Sequence, residues 1–422
     1  MRILDVTEFY SERGGGVRSH LSLKGHVLCQ LGHEHVVVAP GAKDEVQVVD
    51  NGAGLARRGM CARVIRIRGP ASPYDPTYHL LLRFDKIRGI VARERPDVLE
   101  IHSPYLAAMG ALRATPSTFG VRTFQWHSDF IDTYAGVLEA HAAGMLRPAS
   151  TMLARPLATS LWSLVRQIAR RCDATLVASA WQRDKLTSHG VPRVVHRPFG
   201  IERRIFRKEA ASEDARSELF ALAGRSAPPG IEHGGPALLV AVGRFAIEKR
   251  WDVVLDAFTR LRAERDAVLV LVGDGPERAR MHARAEASPF PRDVVFRGFV
   301  KGREELARLL ASADALVHAC PFETFGLSIA EAMSCGLPAV VPDEGGAAEM
   351  HDPASGERYA ALDVAACAAA ASRLLARVAS DRPRVRDAAS RAASRLPTVE
   401  EQFAHQVALY TEMLVRKRHA AR

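Results

Sequence analysis

HACPFETFGLSIAEAMSCGLPAVVPDEGGAAEM, residues 318–350, sets a strand end, a glycine-bearing turn and a helix in immediate succession. Two carboxylates, Glu323 and Glu331, stand eight residues apart, one before the predicted helix and one inside it. Between them Thr324-Phe325-Gly326-Leu327 makes the turn, and Ser328 is the predicted helix N-cap. A helix entered in this way points free backbone N–H groups and the positive end of its dipole at whatever lies in front of it. A diphosphate or a cluster of sugar hydroxyls suits that position, and the glutamates can accept hydrogen bonds from hydroxyls.

Outward from this stretch, short apolar runs alternate with helical patterns. In the second half the expected strands are Leu238–Val242, Val268–Val272, Val294–Arg297, Ala315–His318 and Ala339–Pro342. The first half has the same rhythm, with runs at Ile3–Val6, Val36–Ala39, Val64–Ile67, Val98–Ile101, Thr123–Trp126, Ala174–Ala178 and Val194–Arg197. At 422 residues the chain is too long for one ordinary core. The expectation is an α/β protein of two doubly wound, Rossmann-like domains, 1–203 and 204–397, with ligand at the carboxyl ends of the strands in the crevice between them. Residues 208–235 read as a helix followed by a Pro/Gly-rich connecting loop. Residues 398–422 close the chain with a helix whose apolar positions are Phe403, Val407, Tyr410, Met413 and Leu414.

Composition excludes more than it assigns. No apolar run is long enough to span a bilayer, and nothing resembles a signal peptide before the first strand. Six scattered cysteines without C-x-x-C spacing argue against zinc and disulfides, so a cytoplasmic, reduced protein is expected. The net charge of +10 suits an anionic nucleotide ligand or lipid headgroups, while no RNA-binding motif or Lys/Arg block points to nucleic acid. An Ala- and Arg-rich coding bias explains the same charge equally well. The helical stripe Leu157, Leu161, Leu164, Val165 and Ile168, inside 145–171, carries flanking arginines. It either packs on a domain core or lies on anionic membrane, making the protein peripheral at the inner face.

Three further segments carry candidate chemistry. Gly243-Arg244-Phe245-Ala246-Ile247-Glu248-Lys249 follows the first strand of the second half, and two fixed cations on such a loop can neutralise a departing diphosphate. Gly14-Gly15-Gly16 follows the first strand of the chain, where glycines let backbone approach a ligand closely. Thr123 to Phe130 ends a strand with a polar cluster containing His127 and, as a weaker acceptor-side candidate, Asp129. His102 is a similar strand-end histidine and is assigned a structural role. No D-x-D and no metal-ligand spacing occurs, so no metal is expected.

Gly243–Lys249 resembles the G-R-x-x-x-E-K motif, and Glu323–Glu331 the E-x7-E motif, of the retaining family-4 glycosyltransferases, which have the GT-B fold. The resemblance implies a hexosyl transfer from a nucleoside-diphosphate sugar to a glycan or lipid-linked acceptor hydroxyl, by front-face attack. It implies that Arg244 and Lys249 hold the diphosphate, that Glu323 with the backbone of Phe325, Gly326 and Leu327 holds sugar and phosphate, and that Glu331 binds the ribose. Gly15 and Gly16 would lie over the phosphate, Val300 would meet the nucleobase through its backbone, and His127 would lie near the donor sugar. Glu323 would position rather than attack. GDP-mannose and UDP-linked sugars both remain open, with a lean to mannose. A phosphate-dependent disaccharide phosphorylase of the same fold and a non-catalytic basic binding protein are the rival expectations.

Overall fold

Runs of Val, Ile and Leu without polar alternation become strands buried on both faces, as parallel sheets require. The computed structural model describes residues 1–10, 16–49, 61–73, 75–102, 104–133, 147–227 and 235–420, with backbone only over 147–155. The chain divides into two compact units, Met1–Pro198 with Val399–Arg422, and Phe199–Thr398.

The first unit contains β1 (Arg2–Val6), β2 (Glu34–Gly41), β3 (Glu45–Val48), β4 (Ala62–Arg68), β5 (Val98–Ile101), β6 (Val121–Gln125), β7 (Ala174–Val177) and β8 (Val194–His196). They form one sheet in the order β3-β4-β2-β1-β5-β6-β7-β8. All neighbours are parallel except β3 on β4, and the register pairs Leu4 with Val36 on one side and Leu99 on the other. Its helices are α1 (Gly16–Gln30), α2 (Phe84–Glu94), α3 (Leu106–Ala111), α4 (Arg147–Arg170) and α5 (Ala180–Ser188).

The second unit has β9 (Ala237–Val242), β10 (Ala267–Val272), β11 (Val294–Gly298), β12 (Ala315–Val317), β13 (Ala339–Pro342) and β14 (Glu357–Tyr359), all parallel, in the order β11-β10-β9-β12-β13-β14. Its helices are α6 (Glu213–Leu222), α7 (Trp251–Glu264), α8 (Arg278–Glu286), α9 (Arg303–Ser312), α10 (Leu327–Ser334), α11 (Gly345–Glu349), α12 (Val364–Ser380) and α13 (Arg382–Ala393). The closing helix α14 (Val399–Ala420) returns to the first unit, where Tyr410 and Leu414 pack against Ile3, Val98 and Val121. Each sheet reverses its order beside its first strand, between β1 and β5 and between β9 and β12. At such a switch the loops leaving two neighbouring strands part in opposite directions and open a crevice for ligand.

Several expectations are corrected. β3 and β14 are additional strands: β3 is a largely exposed edge without an apolar run, and β14 is only three residues long. Ser328 is not the helix cap. Gly326, at φ 94°, turns the chain directly into α10, so the helix starts at Leu327 and Ser328 lies within its first turn. The helix expected after Lys208 forms as α6 within the second unit, where Ser212 caps it and Arg216 reaches the buried Asp314 carboxylate at 3.0 Å. The Pro/Gly-rich loop at 228–234 lies outside the described residues.

The cysteines are not all free. Cys29, near the end of α1, is joined to Cys61, just before β4, across a sequence separation of 32. Cys172, Cys320, Cys335 and Cys367 are buried thiols. The amphipathic stripe of α4 splits: Val165 and Ile168 are buried, whereas Leu157 and Leu164 stay exposed. The expected start of that helix at Met145 lies outside the described residues. Among the described residues no helix is long and apolar enough to cross a membrane.

Candidate active site

The second unit gathers its polar groups at the switch between β9 and β12. β9 delivers Gly243 and Arg244, followed by a short turn of helix over Ile247–Lys249. β12 delivers His318, Cys320 and Glu323 ahead of α10. Lys249 Nζ donates to Glu323 Oε2 at 2.6 Å, and His318 Nε2 lies 3.3 Å from the same oxygen. Burial opposes ionisation of Glu323, but Lys249 and then His318 outweigh it and hold the carboxyl well below its usual range. Burial likewise opposes charge on Lys249, and Glu323 more than offsets this, so the ammonium is raised. The pair is therefore a fixed ion pair.

Glycines set the backbone around that pair. A Cβ on Gly273 would lie 1.9 Å from the carbonyl oxygen of Gly243, so the turn after β10 must be bare to let the Arg244 loop pass. A Cβ on Gly346 would meet Thr324 and Phe325 backbone at 2.7 and 2.8 Å, and the Gly346 N–H donates to the Glu323 carbonyl at 2.6 Å. The double glycine thus clamps the Glu323–Phe325 segment from behind. Phe325 is buried and meets Phe199 edge-on at 5.3 Å. No side chain caps the N-terminus of α10, which keeps it a site for negative charge.

Glu331 sits one turn into α10, 5% exposed, and accepts from Arg303 Nη2 at 2.9 Å. Arg303 also pairs with Glu202. Burial pushes Glu331 up to about 7 against the pull of Arg303. Val300 follows β11 and is half-buried.

The first unit gathers a second cluster at the switch between β1 and β5. His127, beyond the end of β6, lies edge to edge with His102, the rings 20° from coplanar with centroids 4.9 Å apart, and its Nε2 lies 2.6 Å from His102 Nδ1. His102 in turn lies 3.4 Å from Asp5 and 3.3 Å from Glu100. Burial, then His102, pushes His127 well below the ordinary histidine value. Gly16 opens α1 with open space at its Cα, whereas Gly15 lies outside the described residues. Asp129 is only 2% exposed and its carboxylate is engaged by Lys185, while burial pushes it up to about 6.

The chain matches two family descriptions in tandem, Glycosyltransferase Family 4 over residues 14–203 and Glycosyl transferases group 1 over residues 228–395. It is 30% identical to a GDP-mannose-dependent alpha-(1-6)-phosphatidylinositol dimannoside mannosyltransferase of Mycobacterium tuberculosis, over 81% of this chain and 79% of that protein. The chain belongs to the family-4 glycosyltransferases. A GDP-mannose-dependent alpha-mannosyltransferase of Corynebacterium glutamicum is 27% identical over 82% of this chain and 73% of its own length. Among solved structures, the sucrose-phosphate synthase of Thermosynechococcus elongatus superposes with a TM-score of 0.76 at 19% identity, covering 99% of this chain and 100% of that one. The fold of this glycosyltransferase is GT-B.

Three residues of this glycosyltransferase escaped sequence reasoning. His318 follows β12, five positions before Glu323, and Arg303 opens α9, yet neither spacing signals a carboxylate partner. His102, assigned a structural role, makes the direct contact to His127. Among the described residues the tertiary structure also brings together His318, Cys320 and Glu323, and Asp5, Glu100 and His102, groupings that no sequence spacing announced. In each a lysine ammonium already occupies the place of a cation: Lys249 on Glu323, and Lys24 at 2.9 and 2.8 Å from Asp5 and Glu100.

Proposed function

We propose that this glycosyltransferase moves a mannosyl group from GDP-mannose to a hydroxyl of a lipid-linked or glycan acceptor, with retention of anomeric configuration and without a metal ion. The observation that carries the proposal is the Lys249–Glu323 ion pair at the β9/β12 switch of the second unit. The mannosyl donor is favoured by the relatives, whose names specify GDP-mannose. Membership of a glycosyltransferase family favours transfer over phosphorolysis or mere binding.

In this reaction the bond from the sugar's anomeric carbon to the donor diphosphate breaks, and a bond to the acceptor oxygen forms on the same face. The acceptor's proton passes to an oxygen of the departing diphosphate. Arg244, Lys249 and the N-terminus of α10 meet the charge that develops there. Glu323, held ionised by Lys249, orients the ammonium and accepts sugar hydroxyls. Its engagement with Lys249 makes it a poor nucleophile. Glu331 takes the ribose hydroxyls, and the backbone near Val300 meets the base. The exposed Leu157 and Leu164 of α4 rest on anionic lipid, where the protein is peripheral at the inner face of the membrane.

Thermal stabilisation by GDP, UDP, ADP and inorganic phosphate, with and without a chelator, tests the donor class. Selective stabilisation by GDP that survives chelation is expected. Stabilisation by phosphate alone points to the phosphorylase, and a requirement for divalent metal removes the metal-free mechanism. The anomeric configuration of the product from GDP-mannose and a phosphatidylinositol mannoside, read by NMR, tests retention. Flotation with anionic and neutral vesicles tests the membrane contact.

A further inference from the structure

We propose that His102 is a positioning residue that fixes His127 as the neutral ring bearing its proton on Nδ1, so that His127 serves as a hydrogen-bond donor and not as a base. The role of His127 rests on the transferase reading above; the placement of the proton does not.

Charge balance leads to this assignment. The side chains of Asp5, Lys24, Glu100 and His102 are all 0% exposed. Two carboxylates and one ammonium leave a negative charge in a dry interior, which is strongly unfavourable without a second cation. His102 Nε2 faces both carboxylates, at 3.4 and 3.3 Å. His35 is the competing imidazole, with Nε2 at 2.7 Å from Asp5, but it touches only that carboxylate. Burial holds His35 below the ordinary histidine value, whereas on His102 the two carboxylates outweigh burial and raise it. The remaining groups around Glu100 are neutral donors: Tyr410 Oη at 2.5 Å, Thr123 Oγ1 at 2.7 Å and Gln406 Nε2 at 3.3 Å. His20, packed against His127 at 5.4 Å between centroids, is pushed down to about 3 by burial and stays uncharged.

An imidazolium at His102 carries protons on both nitrogens. Nε2–H lies between the two carboxylates, within ion-pair distance of both and without hydrogen-bond geometry to either, and Nδ1–H donates to His127 Nε2 across 2.6 Å. Only one proton fits between two ring nitrogens so close. His127 therefore accepts at Nε2, keeps its own proton on Nδ1, and resists a second proton because its hydrogen-bonded neighbour is already charged.

The test is imidazole nitrogen NMR on the full-length, nitrogen-15-labelled protein across the neutral pH range, with assignments from His102→Gln and His127→Asn. Both nitrogens of His102 are expected to be protonated, and His127 to be protonated on Nδ1 alone without titrating. A proton on His127 Nε2, or a His127 midpoint near the ordinary histidine value, overturns the proposal. Kinetics give a second readout. His102→Leu is expected to lower kcat roughly ten- to a hundredfold, by analogy with the loss of other outer partners of a functional histidine. It should also give the rate a pH dependence near neutrality that the wild type lacks, as His127 becomes titratable. His102→Gln, which retains an N–H donor, should restore most of the rate. Equal losses in both variants with an unchanged pH profile would mean a packing role and overturn the proposal. If the wild type transfers no sugar from any nucleotide donor, the transferase reading fails while the spectra still decide where the protons lie.

Discussion

Lys249 Nζ lies 2.6 Å from Glu323 Oε2 and so ties the loop after β9 to the loop after β12 across the switch of the second sheet. The contact holds the ammonium in place before any ligand arrives, so little reorganisation is needed when negative charge develops. Lys249→Ala is expected to lower kcat with GDP-mannose by roughly 100–1,000-fold, the usual effect of losing one preorganised charge donor. Glu323→Gln should cost less. Intact mass after mixing wild type with donor should show no sugar on Glu323; a trapped adduct there would make it a nucleophile.

Glu331 should give nucleotide binding a pH dependence. Its folded value of about 7 lies above the ordinary 4.5, because burial outweighs Arg303. A raised acid stabilises the free protein below its unfolded value, and that contribution is lost as pH rises through about 7. Ribose hydroxyls bind the ionised carboxylate, so affinity moves the other way. GDP affinity, measured by calorimetry, is expected to rise about tenfold between roughly pH 6 and 8, and Glu331→Gln should flatten that rise.

Gly346 has no room for a side chain, its Cβ position lying 2.7 Å from Thr324 backbone. Gly346→Ala must displace the Glu323–Phe325 segment and is expected to cost ~1–3 kcal/mol of stability and most of the GDP-induced thermal shift. Gly89, inside α2, is the control, with nothing within 4 Å of its Cβ position. Gly89→Ala should be neutral or stabilising by up to ~1 kcal/mol and leave GDP binding alone.

Lys24 is a fully buried ammonium between two fully buried carboxylates. Lys24→Met leaves those carboxylates facing each other and is expected to destabilise the first unit by ~3–5 kcal/mol in urea unfolding monitored by its tryptophans, Trp126, Trp162 and Trp181. A loss under ~1 kcal/mol would mean that the cluster takes up a proton instead.

Much of the scaffold is legible because parallel strands buried on both faces must be continuous apolar runs. Leu238–Val242 and Val268–Val272 announce themselves, and β9 and β10 cover them. β3 has no such run because it is an exposed edge, and β14 is too short to have a period. Propensity favours Ser328 as the cap of α10, whereas the left-handed φ of Gly326 decides the start.

The sequence by itself determined two α/β halves, the cation pair of the Arg244–Lys249 loop and the carboxylates Glu323 and Glu331, because each is written in a contiguous segment. Only the tertiary structure decided which charges meet. Lys249 reaches Glu323 across 74 positions, Arg303 reaches Glu331 across 28, and His102 reaches His127 across 25. The Cys29–Cys61 bond arises in the same way, across 32 positions. Such partners are chosen by strand order: the sheet sets β9 beside β12 and β1 beside β5, and a local pattern carries no record of that neighbourhood. The protonation states follow from the same cause, since burial and neighbouring charge exist only once the strands have been laid side by side.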